Sequence, residues 1–210
     1  MTASTLGRGI KVGDIDPVEL MEMYFERAKS HPFSDKIFAR FTEVRALNES
    51  KSSRVRARKG TRKSLLDGVP ISWKDLFDTA GVVTEAGSLL LEKRTPEIDA
   101  DVLKNATDAG LVCFGKTHMS ELAFSGLGVN PVTNTPPCIN DFSAAPGGSS
   151  SGAAASVAFN LAVAGIGSDT GGSVRIPAAW NDLVGLKTTI GRLSVSGTVP
   201  LNPDFDTVGP

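Results

Sequence analysis

Between Gly147 and Ser173, two glycine–serine clusters are held apart by residues that are first small and then apolar. Gly147-Gly148-Ser149-Ser150-Ser151-Gly152 opens the stretch and Ser168-Asp169-Thr170-Gly171-Gly172-Ser173 closes it. Ser151–Phe159 reads as a helix, Ala-rich enough to pack very closely on a neighbour. Leu161–Ile166 reads as a buried strand that feeds straight into the second cluster. Each cluster then falls at an element terminus, where side chains and unpaired N–H groups can face a common cleft. Taken singly, each is no more than a tight turn.

The rest of the chain supplies the partners for such a unit. Asp16-Pro17-Val18-Glu19 has the residues of a capped helix start, with Pro at the first helical position and Glu19 completing a capping box. Leu20, Met23, Tyr24 and Ala28 continue it at helical spacing to about Ser30. A second helix is expected from Thr42 towards Arg58, ended by Gly60. Gly68 to Lys74 reads as a short strand, which puts Lys74-Asp75 near a strand's C-terminal end. Asp99 is expected to cap a helix over Ala100–Asp108, closed by Gly110, with Leu111–Phe114 a buried strand after it. A short helix is expected around Met119–Phe124, and Gly126–Gly148 reads as loop. Helices alternating with short apolar strands argue a layered α/β fold, taken as one domain over residues 1–210.

Composition narrows the functional classes. A net charge of −1 gives no electrostatic case for a nucleic-acid or anionic-membrane partner. Basic residues do cluster from Lys51 to Lys63, but no aromatic residues are interleaved to stack bases, and a solvated helix face explains them. Neither Cys113 nor Cys138 has a CxxC partner, so metal and redox motifs are not expected. Cys113, in an apolar run, reads as a small buried hydrophobe, and Cys138, in a Pro-rich loop, could be exposed. Met1–Gly13 lacks the apolar core of a signal peptide, and no apolar stretch approaches a membrane span. A reducing, cytoplasmic setting is the expectation.

Two short motifs mislead. Gly110-Leu-Val-Cys-Phe-Gly115-Lys116-Thr117 matches the phosphate-loop pattern G-x-x-x-x-G-K-T, but a helix precedes Gly110 and the intervening residues are themselves a strand. Gly148-Ser149-Ser150-Ser151-Gly152 matches the nucleophile-elbow pattern G-x-S-x-G. It follows loop rather than strand, and the only histidines, His31 and His118, lie upstream instead of downstream.

Taken together, the residues resemble the amidase signature family. The resemblance is carried by Pro146–Leu186 with its Gly147-Gly148-Ser149-Ser150, Ser168–Ser173 and Arg175-Ile176-Pro177-Ala178-Ala179. It is carried also by Gly68-Val69-Pro70-Ile71 with Lys74-Asp75, and by Gly115-Lys116-Thr117 with Glu121-Leu122-Ala123. It implies an α/β/α fold around a mixed sheet and a Ser–Ser–Lys triad: Lys74 the base, Ser149 the bridge after a cis Gly148–Ser149 peptide, and Ser173 the nucleophile. Ser150 is the neighbouring alternative for the bridge. Thr170, Gly171, Gly172 and Ser173 would supply the oxyanion hole. Asp169 and Arg175 flank the loop, either as an ion pair that holds it rigid or as ordinary surface charge. No metal or cofactor is implied.

The chemistry is sound on its own terms. A serine hydroxyl needs a base, and without a usable histidine a lysine made neutral by burial serves. The expected function is hydrolysis of a small carboxamide through an acyl-enzyme. The alternative is the glutaminase subunit of a glutamine-dependent aminoacyl-tRNA amidotransferase, although Glu121–Asn130 resembles solitary amidases more. A non-catalytic remnant and a nucleotide binder are the other classes open to such a chain. Partners reduce to a small amide substrate, with no direct nucleic-acid or membrane contact and a homodimer left open. Family members run well beyond Pro210, so the fold is expected to be incomplete on its C-terminal side, with sheet edges and apolar faces uncovered. Two local departures, Lys187-Thr188-Thr189 in place of Lys-Pro-Thr and the lack of an Arg-Asn-Pro run in Asn134–Ala145, alter loop shape rather than the triad.

Overall fold

Five strands make one mixed sheet in the order β1-β3-β2-β4-β5 in a computed structural model that describes residues 1–210. They are β1 Phe38–Phe41, β2 Pro70–Lys74, β3 Val112–Thr117, β4 Gly165–Asp169 and β5 Thr207–Gly209. The three central strands run parallel, and β1 and β5 are antiparallel to their neighbours. Seven helices accompany them: α1 Ala3–Val12, α2 Pro17–Ser30, α3 Ser34–Ile37, α4 Glu43–Lys59, α5 Asp101–Asp108, α6 Ser151–Ala158 and α7 Arg175–Trp180.

The central strands are buried on both faces, and alternation along them sorts the core into two halves. On one face Val69, Val112 and Phe114 pack with Leu20, Met21, Phe25, Ala46 and Ala155 from α2, α4 and α6. On the other, Ile71, Trp73 and Cys113 pack with Val102 and Leu103 of α5 and with Val208 of β5. The layered α/β/α arrangement expected from the sequence is therefore present.

Close packing of α6 explains its small residues. Ser156 Oγ meets Ser72 Oγ of β2 at 2.8 Å. A Cβ on Gly152 would stand 2.6 Å from Ile37 O and 2.7 Å from His118 O, so only glycine fits. This contact seats the start of α6, and the serines before it, against the ends of the parallel strands.

Several local expectations need correction. The strand placed at Leu161–Ile166 begins at Gly165, because Leu161 and Ala162 donate their N–H groups to Ser156 O and close the end of α6 instead. Asp99 does not cap α5, whose N-cap is Ala100 without a side-chain bond. The Asp99 carboxylate is taken by Arg45 at 2.6 and 2.8 Å and by the Ala80 N–H. The helix expected around Met119–Phe124 shrinks to a 3-10 turn at Glu121–Ala123, with Leu122 and Ala123 at positive φ. Asp16 caps α2 through Val18 and Glu19, but the Glu19 side chain makes no return bond. Cys138 is buried, its Sγ 3.2 Å from Trp180 O. An apolar cavity of about 160 Å³ opens between α6, α7 and β4, and Val184 in its lining is exposed. No helix is long and apolar enough to cross a membrane.

The basic stretch at Lys51–Lys63 is less solvated than its composition implies. Arg54 pairs with Asp16, and Arg62 donates to the carbonyls of Gly7, Leu65 and Asp67. Arg56 grips the fully buried Asp67 at 2.6 and 2.7 Å, and the Lys63 N–H adds a third bond at 2.9 Å. Burial alone would push the Asp67 carboxyl up, but Arg56 and Lys63 outweigh it and hold the group below the usual carboxylate range. The stabilisation is thus present above the unfolded carboxyl's pKa and is lost as pH falls through the lower folded value. Asp67→Ala leaves Arg56 and the Lys63 N–H without their acceptor and should cost about 3 kcal/mol, read as a lower urea midpoint at neutral pH. An unchanged midpoint would show that this pair does not hold α4 to the loop before β2.

Candidate active site

Lys74 is the last residue of β2, in the middle of the sheet, and its side chain is 0% exposed. Nζ donates to Ser149 Oγ at 2.6 Å and to Ser168 Oγ at 2.8 Å, and it enters no ion pair. An ammonium in such a place has lost its water without gaining a contacting counter-charge. Burial pulls the group down from 10.5 to about 7, even though Asp206 and Asp169 favour its charged form from a distance. Burial thus favours the neutral amine at this position.

Ser149 reaches the lysine because the segment before α6 is fixed on several sides. Its peptide bond with Gly148 is cis. Gly147 and Gly148 donate to Leu127 O at 3.0 Å and Gly126 O at 2.8 Å, and the Ser120 N–H holds Ser149 O at 3.1 Å. A Cβ on Gly148 would lie 2.5 Å from Gly128 Cα, which explains the glycine before the serine. Ser150 takes a different position. Its N–H donates to Ser173 O and its Oγ to Ser168 O, both at 3.2 Å, so it ties the start of α6 to β4 and the loop after it.

That loop is organised by Asp169 at the end of β4. The fully buried carboxylate accepts the N–H groups of Gly172 at 2.8 Å and Val174 at 3.2 Å and the Arg175 side chain at 2.9 and 3.0 Å. Burial opposes its ionisation, but the Arg175 guanidinium and the backbone donors hold it below the usual carboxylate range. Of the two readings of these residues, the ion pair is the one present. The exposed Arg175 side chain and the buried amide N–H groups share this carboxylate and together shape the loop. The Gly172 N–H already points at Asp169, while those of Gly171 and Ser173 have no protein acceptor.

Ser173 follows at 8% exposure beside an open cleft of about 310 Å³, lined also by Phe124, Ser125, Gly171, Ile176 and Leu201. The structure thus brings Lys74 and Ser149 into direct contact and places Ser150 between α6 and the Ser173 loop. No hydrogen bond joins the side chains of Ser149 and Ser173.

Ser168 escaped the sequence reading. In the residues it is only a member of its cluster, yet as the penultimate residue of β4 it is the lysine's second partner. Its signal is its place on the strand adjoining β2, visible only once the strand boundary is set correctly. The phosphate-loop look-alike is strand through Thr117, and Lys116 is buried with its Nζ on Phe77 O at 2.6 Å and Thr84 Oγ1 at 2.9 Å. His118 is pushed down to about 4 by burial and by the charge of Arg40. No group of three or more His, Cys, Asp or Glu is placed to hold a metal ion.

Comparison with known proteins identifies the family and the fold. The amidase family model matches residues 19–210. A crystal structure of an amidase is 36% identical and superposes with a TM-score of 0.90, covering 99% of this chain and 48% of that one. The peptide amidase of Stenotrophomonas maltophilia is 33% identical with a TM-score of 0.92, covering 99% and 44%. Among curated sequences, the glutamyl-tRNA(Gln) amidotransferase A subunit from Anaeromyxobacter dehalogenans (strain 2CP-C) is 42% identical over 206 residues, 97% of this chain and 42% of that protein. The chain thus spans less than half the length of these relatives. With its fold and nearly its whole sequence matched, the chain belongs to the amidase family.

Proposed function

We propose that this chain carries the catalytic half-site of an amidohydrolase that cleaves a carboxamide C–N bond through an acyl-enzyme on Ser173. The observation that carries the reading is Lys74: a buried amine drawn to about 7, with serine hydroxyls as its only hydrogen-bond partners. In the proposed cycle the Ser173 oxygen attacks the amide carbonyl. Its proton passes to Ser149 as Ser149 gives its own to Lys74. The free N–H groups of Gly171 and Ser173 are the proposed donors to the oxyanion, with Thr170 supporting the loop and Gly172 held back by Asp169. When the C–N bond breaks, the proton returns through Ser149 to the departing amine. Water then attacks the acyl group by the same route and frees Ser173. The relay requires the Ser149 and Ser173 hydroxyls to meet when substrate fills the cleft, a tightening common in catalytic sites.

The cleft supports a small carboxamide as substrate. A second reading has its own observation: 42% identity to an amidotransferase A subunit favours glutamine as the amide and association with partner subunits. Ammonia release from glutamine that depends on such partners would favour this reading over the solitary one.

A fluorophosphonate probe tests the chemistry without naming the substrate. Covalent labelling should map to Ser173 and vanish in Ser173→Ala. It should fall by about a hundredfold in Lys74→Ala, which loses its base. Labelling at Ser150, or undiminished labelling in Ser173→Ala, would overturn the assignment. The pH profile has a fixed sign: Lys74 accepts a proton only when neutral, so the rate should rise about tenfold per unit below its apparent pKa near 7 and level off above it.

A further inference from the structure

We propose that Asp206 is a positioning residue for this site, its carboxylate clamping Thr170 at the head of the nucleophile loop to the Leu201–Asn202 turn that walls the cleft. The proposal rests on the hydrolytic reading above. Asp206 precedes β5 and is buried. Its Oδ1 accepts the Thr170 hydroxyl. Its Oδ2 accepts the Leu201 N–H at 2.9 Å, and the Asn202 N–H reaches both oxygens at 3.1 and 3.2 Å. One carboxylate thus takes donors from two segments that nothing in the sequence links. The Asp206 N–H closes the same turn onto Asn202 O at 2.9 Å.

The neighbouring pairing fixes the register of this clamp. Asp169 of β4 stands opposite Thr207 of β5, and the Thr207 hydroxyl donates to Asp169 O at 2.6 Å. Thr170 and Asp206 are therefore the next residues on their two segments, brought side by side where the ladder ends. Leu201 shares the cleft lining with Gly171 and Ser173. A displacement of the Asp206 turn accordingly moves both a cleft wall and the loop that carries the nucleophile.

The carboxylate has an electrostatic side as well. Facing Lys74 are the Ser149 and Ser168 hydroxyls from the α6 segment and β4, and the acidic groups that favour its charged form are Asp206 and Asp169. Asp75, next to Lys74 on the chain, is engaged by Arg40, the Glu85 N–H and Lys116 of β3. Asp169 is neutralised in part by Arg175. Asp206 has no basic partner in the structure, so its charge acts on Lys74 without a contacting cation to offset it.

Two variants separate the clamp from the charge. Asp206→Asn keeps an acceptor oxygen and removes the charge, so the acid limb of Ser173 fluorophosphonate labelling should move to lower pH by about half a unit or more. Thr170→Val removes the hydroxyl and keeps the charge, so that limb should stay in place while the plateau rate falls about tenfold. Hydrogen exchange reads the clamp independently of labelling: in Asp206→Ala the Leu201 and Asn202 amides should exchange at least about tenfold faster, while those of β3 stay protected. An unmoved acid limb in Asp206→Asn, an undiminished plateau in Thr170→Val, or unaltered exchange at Leu201 and Asn202 would overturn the proposal. If the parent chain fails to label at Ser173, the hydrolytic reading itself falls. If the parent labels as expected and only the variants behave like it, Asp206 alone loses its role.

Discussion

An ammonium group taken out of water must find a counter-charge or give up its proton. Lys74 has no carboxylate in contact, and its hydrogen bonds end on two serine hydroxyls that can accept from the charged lysine or donate to the neutral one. The rest of the structure depends on keeping it in that condition. Core packing on both faces of β2 excludes water, α6 packs closely enough to deliver Ser149, and β4 ends at the height needed to bring Ser168 alongside.

Lys116 on the neighbouring strand shows what the arrangement avoids. It is equally buried and its affinity for a proton is also lowered, first by burial. Yet it binds the Phe77 carbonyl and the Thr84 hydroxyl and lies 3.4 Å from Asp75, itself held by Arg40. A carbonyl can only accept a hydrogen bond and a contacting carboxylate favours the cation, so Lys116 is suited to hold the loop after β2 in place. Two lysines on adjacent strands, both removed from solvent, differ in chemistry because their nearest oxygens differ.

Much of this is legible in the residues. The glycine–serine clusters lie at element ends because glycine permits the close approaches and serine supplies short polar groups, and α2 starts where Asp16 and Pro17 place it. Other features depend on contacts between distant residues. Nothing local announces β1, only four residues long, or β5, only three, since both exist by pairing with strands far away in the sequence. Asp99 looks like a cap because capping is local, but Arg45 competes for it from across the fold. Glycine at 172 suggests an exposed backbone N–H, and nothing local signals that the buried Asp169 accepts it. Asp206 carries no sequence signal because its partners lie in two separate segments.

The proton of Lys74 decides whether this site can work as a base-assisted serine nucleophile. Its titration can be followed directly by the Cε resonance in protein carrying isotope-labelled lysine, with the signal assigned by its loss in Lys74→Met. The expected midpoint is near 7, set by burial against the pull of Asp206 and Asp169. A midpoint near the ordinary lysine value of 10.5 would mean that the amine stays charged at neutral pH and cannot serve as the base.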